Sequence, residues 1–129
     1  MLNMIDYCAP STSTALQWTD VCSLDDVLAG SASAALIGGQ QIALVRSRDG
    51  NSLYALSNFD PFSKAFVIAR GIVGDRGGVP KIASPIYKQS FDLRTGECLD
   101  DPAVRLASFP VRVSAGRVYV AVNAGQQAA

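Results

Sequence analysis

The residues of this chain whose types could do chemistry lie in two proline-anchored loops, Asp60-Pro61-Phe62 and Ser84-Pro85-Ile86-Tyr87, and at three cysteines, Cys8, Cys22 and Cys98. Asp60, Ser84 and Tyr87 offer oxygen ligands, but a site for a hard cation ordinarily needs more carboxylates than this. Asp60 and Ser84 read more simply as loop caps that accept backbone N–H bonds. The chain contains no histidine. It therefore cannot assemble a Ser-His-Asp or Cys-His pair, a zinc site built on imidazoles, or a facial triad of two histidines and a carboxylate. The cysteines are odd in number and irregularly spaced. Without an export signal they are expected as free thiols in a reducing compartment. No basic neighbour in sequence activates Cys22, and Glu97 beside Cys98 opposes thiolate formation where the two lie close, so buried structural thiols are expected. Gly71, Gly74 and Gly77-Gly78 lack the strand-to-helix frame of a dinucleotide fingerprint and read as turn glycines.

Elements must hold those loops in place, and composition bounds them. At 129 residues the chain reads as one domain, which buries roughly two-thirds of its unfolded surface and needs no staples. Eleven acidic residues balance eleven basic ones, so no nucleic acid or membrane is drawn in by bulk charge. No apolar stretch approaches the ~20 residues that span a bilayer. Arg46 is the first basic residue, whereas a secretory signal begins with one, and a cytoplasmic location is expected.

Along the chain, Pro10-Ser11-Thr12-Ser13-Thr14 reads as a flexible or edge-lying lead-in. Trp18 to Cys22 alternates as a first strand, and Ser23-Leu24-Asp25-Asp26 resembles a capping box opening a helix that Gly30 and Ser31 stop within about two turns. Gly38-Gly39 and Asp49-Gly50 are hairpin signals between apolar runs. Phe66 to Ala69 is a short strand or turn, and Asp75-Arg76-Gly77-Gly78 a polar loop. Residues 82 to 99 hold a strand, the Ser84-Pro85 loop and a hairpin turning at Thr95-Gly96, an arrangement that keeps a loop tip in one place. Phe109 to Val113 and Arg117 to Val122 alternate around a turn at Ser114-Ala115-Gly116. These nine or ten short strands and one short helix predict a small all-β sandwich or barrel over residues 17–122, with an arm over 1–16 and a frayed tail over 123–129.

The stretch Ser84-Pro85-Ile86-Tyr87, followed by Phe91-Asp92-Leu93-Arg94-Thr95-Gly96, resembles the second cluster-binding box of Rieske iron–sulfur domains. In that family a Cys-Pro-Trp-His loop precedes a Phe-Asp-Leu-x-Thr-Gly hairpin. The first box, Cys-Pro-His after a Tyr-Ala-Leu strand, aligns with Tyr54-Ala55-Leu56-Ser57-Asn58-Phe59-Asp60-Pro61-Phe62. Asp60 and Ser84 thus stand where the family has cysteine, and Phe62 and Tyr87 where it has histidine. A Rieske centre takes two imidazoles and two thiolates, so the resemblance implies the fold without the [2Fe–2S] cluster. It also implies a β-sandwich or barrel base with a small insertion carrying the two degenerate loops. Phe62 then fills the space that an imidazole and cluster would take.

Together with Ser57-Asn58-Phe59-Asp60-Pro61-Phe62, Ala83 to Gln89 and Val21-Cys22-Ser23-Leu24-Asp25-Asp26, the pattern is similar to the small subunit of NAD(P)H-dependent assimilatory nitrite reductase. That resemblance implies a cofactor-free subunit of an oxidoreductase, itself non-catalytic. Its large partner subunit carries FAD, a [4Fe–4S] cluster and sirohaem, and reduces nitrite to ammonium. The alternatives are a cofactor-free Rieske-like binding module of another oxidoreductase and, against the missing ligands, a Rieske ferredoxin. The loop tip is expected either as a docking surface of Phe59, Phe62, Ile86 and Tyr87 rimmed by Lys64 and Lys88, or as a self-packed tip with its aromatics turned inward.

Overall fold

The computed structural model describes residues 2–4 and 16–123. Among these the chain forms strands β1 (Leu2–Met4), β2 (Leu16–Ser23), β3 (Ala32–Ile37), β4 (Gln40–Arg46), β5 (Leu53–Ser57), β6 (Phe59–Asp60), β7 (Ala65–Phe66), β8 (Ile72–Arg76), β9 (Val79–Ala83), β10 (Ser90–Asp92), β11 (Ser108–Phe109), β12 (Val111–Ser114) and β13 (Arg117–Asn123). Two single-turn 3-10 helices, Leu24–Asp26 and Ile68–Arg70, complete it. The strands build a sheet of order β1-β12-β13-β2, a second of order β11-β5-β4-β3, a third of order β10-β9-β8, and the β6-β7 hairpin.

The middle sheet is the wall on which everything else is laid. Ile42-Ala43-Leu44-Val45 on β4 is an unbroken apolar run, and each of the four residues is buried. Successive side chains of a strand point to opposite faces. Ile42 and Leu44 therefore join a core shared with Val111, Val113, Val118, Val120 and Val122 of the first sheet. Ala43 and Val45 join a second core with Leu56, Ile68, Ile82, Phe91 and Leu93. A strand apolar on both sides is what a three-layer stack requires of its centre. The chain leaves this sheet after β5 and returns as β11, which pairs with β5 through Ser108↔Leu56 and Phe109↔Ala55. Residues 58–107 are thus an insertion, and they carry both proline-anchored loops.

Local chemistry explains the joints. Ile37 pairs with Gln40, so Gly38 (φ 57°) and Gly39 (φ 81°) form a two-residue loop in which both residues take positive φ, the geometry that matches strand twist. Gly77-Gly78 does the same between Arg76 and Val79, making the expected polar loop a hairpin. Ser23 caps the first 3-10 helix: its Oγ accepts from Asp25 N–H at 3.3 Å, and Asp26 Oδ2 accepts from Ser23 N–H at 3.2 Å. The capping box is present, but the helix is one turn rather than two. Val27, 0% exposed, is drawn into the first core, and its N–H closes back onto Leu24 O.

Leu2–Met4 of the expected arm pair with Arg112–Ser114 as an edge strand. The rest of the arm's irregular stretch, with Cys8, lies outside the described residues, as does the tail beyond Asn123. Among the described residues no helix is long and apolar enough to cross a membrane.

Candidate functional site

The first loop caps the β6-β7 hairpin, where Phe59 pairs with Phe66 and Asp60 with Ala65. The second joins β9 to β10, which pair through Ala83↔Ser90. Asn58 anchors the first loop on both sides. Its N–H donates to Gln41 O at 3.0 Å, its backbone carbonyl accepts from Ile68 N–H at 3.2 Å, and its Oδ1 accepts from Ala69 N–H at 2.7 Å. Asn58 is 3% exposed, and sequence reasoning assigned it no role; its signal was a polar residue directly after an apolar strand. Asp100 anchors the second loop, accepting from Ser90 N–H at 2.8 Å while paired with Arg76 at 3.1 Å. Gly71 lets the strands close behind them, because a Cβ there would overlap the carbonyl oxygen of Ala83.

The two loops meet at Asp60 and Ser84. The Ser84 hydroxyl donates to Asp60 Oδ2 at 2.5 Å, with Ser84 2% and Asp60 0% exposed. Ser63 Oγ donates to the same oxygen at 2.9 Å, and Phe62 N–H donates to Oδ1 at 2.9 Å. Ser84 Oγ in turn accepts from Ile86 N–H at 3.3 Å. Burial alone would raise the Asp60 carboxyl, but the bonds from Ser84, Phe62 and Ser63 favour the charged form more, and its pKa is held below the ordinary carboxylate value. A buried negative charge persists here without a cation because hydrogen bonds solvate it.

Phe62 is half-buried against the second core, its ring 6.2 Å from that of Phe91. Phe59 is half-buried and stacks on Phe66 at 5.1 Å and 59°. Ile86 and Tyr87 face solvent, 45% and 60% exposed, and Lys64 and Lys88 are exposed beside them. The tip therefore divides: Phe62 turns inward, Ile86 and Tyr87 outward. Two further exposed apolar residues, Phe66 and Ile72, were not anticipated at this surface; Ile72 pairs with Ala83, the residue before Ser84.

This arrangement does not fit a [2Fe–2S] cluster. Of the four positions that the resemblance aligns with ligands, Asp60 and Ser84 carry oxygens hydrogen-bonded to each other, and Phe62 is a half-buried phenyl ring packed against the core. Nor is it a nucleophile site, since Ser84 is buried and its proton is committed to a carboxylate with no imidazole to relay it. Among the described residues no group of three or more His, Cys, Asp or Glu could hold a metal. Of the described cysteines, Cys98 is buried and Cys22 half-buried. Burial and the nearby Asp26 carboxylate push the Cys22 thiol up, away from reactivity.

Comparison with known proteins fits this geometry. Residues 17–121 match the family described as Rieske-like [2Fe-2S] domain. The chain is 38% identical over 104 residues to the nitrite reductase (NADH) small subunit of Salmonella typhimurium, covering 81% of this chain and 96% of that protein. It is 41% identical over 103 residues to the nitrite reductase [NAD(P)H] large subunit of Klebsiella oxytoca, covering 80% of this chain but 11% of that protein. In structure it is similar to a crystallised Mycobacterium tuberculosis chain assigned as an NADH-dependent nitrite reductase small subunit. That likeness has a TM-score of 0.81 at 47% identity and covers 85% and 98% of the two chains.

Proposed function

The chain belongs to the Rieske-like [2Fe-2S] domain family and, within it, to the nitrite reductase small subunits, and from that premise we propose that it is a cytoplasmic, cofactor-free subunit that docks on the large chain of an NAD(P)H-dependent nitrite reductase. The observation that carries this reading is a match spanning 96% of the Salmonella small subunit. The Asp60–Ser84 bond supports the cofactor-free part, because it joins the two loops directly where the cluster would separate them. FAD, the [4Fe–4S] cluster and sirohaem then reside on the large chain, which performs the reduction of nitrite to ammonium. This chain holds no electron; it supports its partner through the loop tip, with Phe59, Ile86 and Tyr87 at the surface, Phe62 bracing the loop from inside, and Lys64 and Lys88 at the rim. The Klebsiella relative supports the partnership, since a like domain is carried there within one large polypeptide. The test is to delete this chain and assay NADH-dependent nitrite reduction with the large chain alone. Lost or strongly reduced activity, restored by adding the chain back, is expected; full activity without it refutes the assignment.

A further inference from the structure

Two lysines at the tip hold a backbone conformation that lysine disfavours. Lys64 has φ 59° and Lys88 φ 66°; apart from Ala115, they are the only non-glycine residues with positive φ among those described. They occupy equivalent places, each four residues beyond the residue that closes its loop, Asp60 in one case and Ser84 in the other. Lys64 N–H donates to Asp60 O at 2.7 Å to complete the first turn. Glycine takes this conformation without steric penalty, so loop closure alone does not call for lysine at either place. Strain retained at a loop tip points to a role for the side chain that bears it.

The tip's exposed charges that lie outside ion pairs share one sign; Asp100, exposed beside the second loop, is paired with Arg76. Between residues 58 and 90 the acids are Asp60 and Asp75. Asp60 is buried within its hydrogen bonds, and Asp75 lies near the far end of β8, beside the Gly77-Gly78 turn. Lys64, Arg70 and Lys88 are exposed, and none of the three forms a salt bridge among the described residues. Each lies within two residues of an exposed apolar side chain: Lys64 of Phe66 (44%), Arg70 of Ile72 (68%), and Lys88 of Ile86 and Tyr87. The chain as a whole is neutral, so this is a local concentration of positive charge around an apolar centre. Such a rim selects a partner of opposite sign and speeds its approach.

Resting on the subunit reading above, we infer that the tip docks on an apolar surface of the large chain ringed by carboxylates, and that Lys64 and Lys88 are kept in left-handed backbone to present their ammonium groups to that ring. The charge is then there for association, and the isolated fold gains nothing from it.

The experiment compares wild type with Lys64→Gly/Lys88→Gly in thermal unfolding and in binding to the cofactor-loaded large chain, at low and at moderate salt. Glycine relieves the strained φ, so the double variant keeps or gains thermal stability. It loses about three- to tenfold in affinity, chiefly through slower association, and its salt dependence flattens. Lys64→Arg/Lys88→Arg, which keeps the charge, binds as wild type. Arg48→Ser, which removes one charge at the β4–β5 turn, leaves binding unchanged. A glycine variant that binds as tightly as wild type and with the same salt dependence overturns the inference while leaving the subunit reading intact. Wild-type chain that forms no complex overturns both.

Discussion

Replacing Ser84 by alanine isolates the bond on which the tip depends. Ser84→Ala removes a buried, charge-assisted hydrogen bond to Asp60 and leaves the remaining donors, Phe62 N–H and Ser63 Oγ, in place. Such a bond contributes about 1.5–3 kcal/mol. The accompanying loss of the longer Ile86 N–H contact at 3.3 Å adds little, and alanine's methyl group occupies nearly the same volume. The expected destabilisation is therefore about 2 kcal/mol at pH 7. For a domain of this size it lowers the melting temperature by roughly 6–10 °C. The sign of the pH dependence follows from the lowered folded-state pKa of Asp60. Its contribution is present above the unfolded value of about 3.9 and is lost as pH falls through the folded value. In the variant, burial persists while one of the opposing bonds is gone, so the carboxyl moves back up. The gap between wild type and variant, measured by urea unfolding from pH 7 to pH 3, should hold at neutral pH and narrow below about pH 4. A variant within about 0.5 kcal/mol of wild type at pH 7, or a gap independent of pH, refutes the account of the tip as a carboxylate solvated by hydrogen bonds.

Gly71→Ala should cost about 2–3 kcal/mol in thermal unfolding. Its φ of −76° suits any residue, so the whole effect is steric, the added Cβ meeting Ala83 O and Ile82 Cγ1; wild-type stability would show that the Ile68–Arg70 turn can move off β9. Asn58→Ala should cost about 1–3 kcal/mol, because it leaves the Ala69 N–H without its acceptor. Amide exchange should then quicken at Ala69, and unchanged protection there would mean that Asn58 does not pin the loop.

Much of the scaffold was legible from short-range chemistry. The Gly38-Gly39 and Asp49-Gly50 turns, the Ser23/Asp26 capping box and the Ser114-Ala115-Gly116 turn each rest on a few adjacent residues, and each appears in the structure. What was misread depended on neighbours far along the chain. The first helix shortened to one turn because Val27 is needed by a core assembled from β12 and β13. Of the two forms expected for the arm, flexible or edge-lying, Leu2–Met4 take the edge-lying one, because β12 offers an unpaired edge. Phe66 and Ile72 look like core residues by type, yet they lie exposed beside the loops.

The residue types alone decided what this protein cannot do: a chain without imidazole cannot ligate a Rieske centre or run a histidine-dependent hydrolysis, however it folds. Local turn and cap signals likewise determined that it is a β protein with two proline-anchored loops. Only the tertiary structure decided that Asp60 and Ser84, 24 residues apart, are joined by a hydrogen bond of 2.5 Å, that Phe62 turns inward, and that the tip's exposed charges outside ion pairs are basic. Those outcomes depend on which surfaces a three-layer stack of sheets brings together, and burial and cross-chain hydrogen bonding are set by that assembly rather than by any neighbour in sequence.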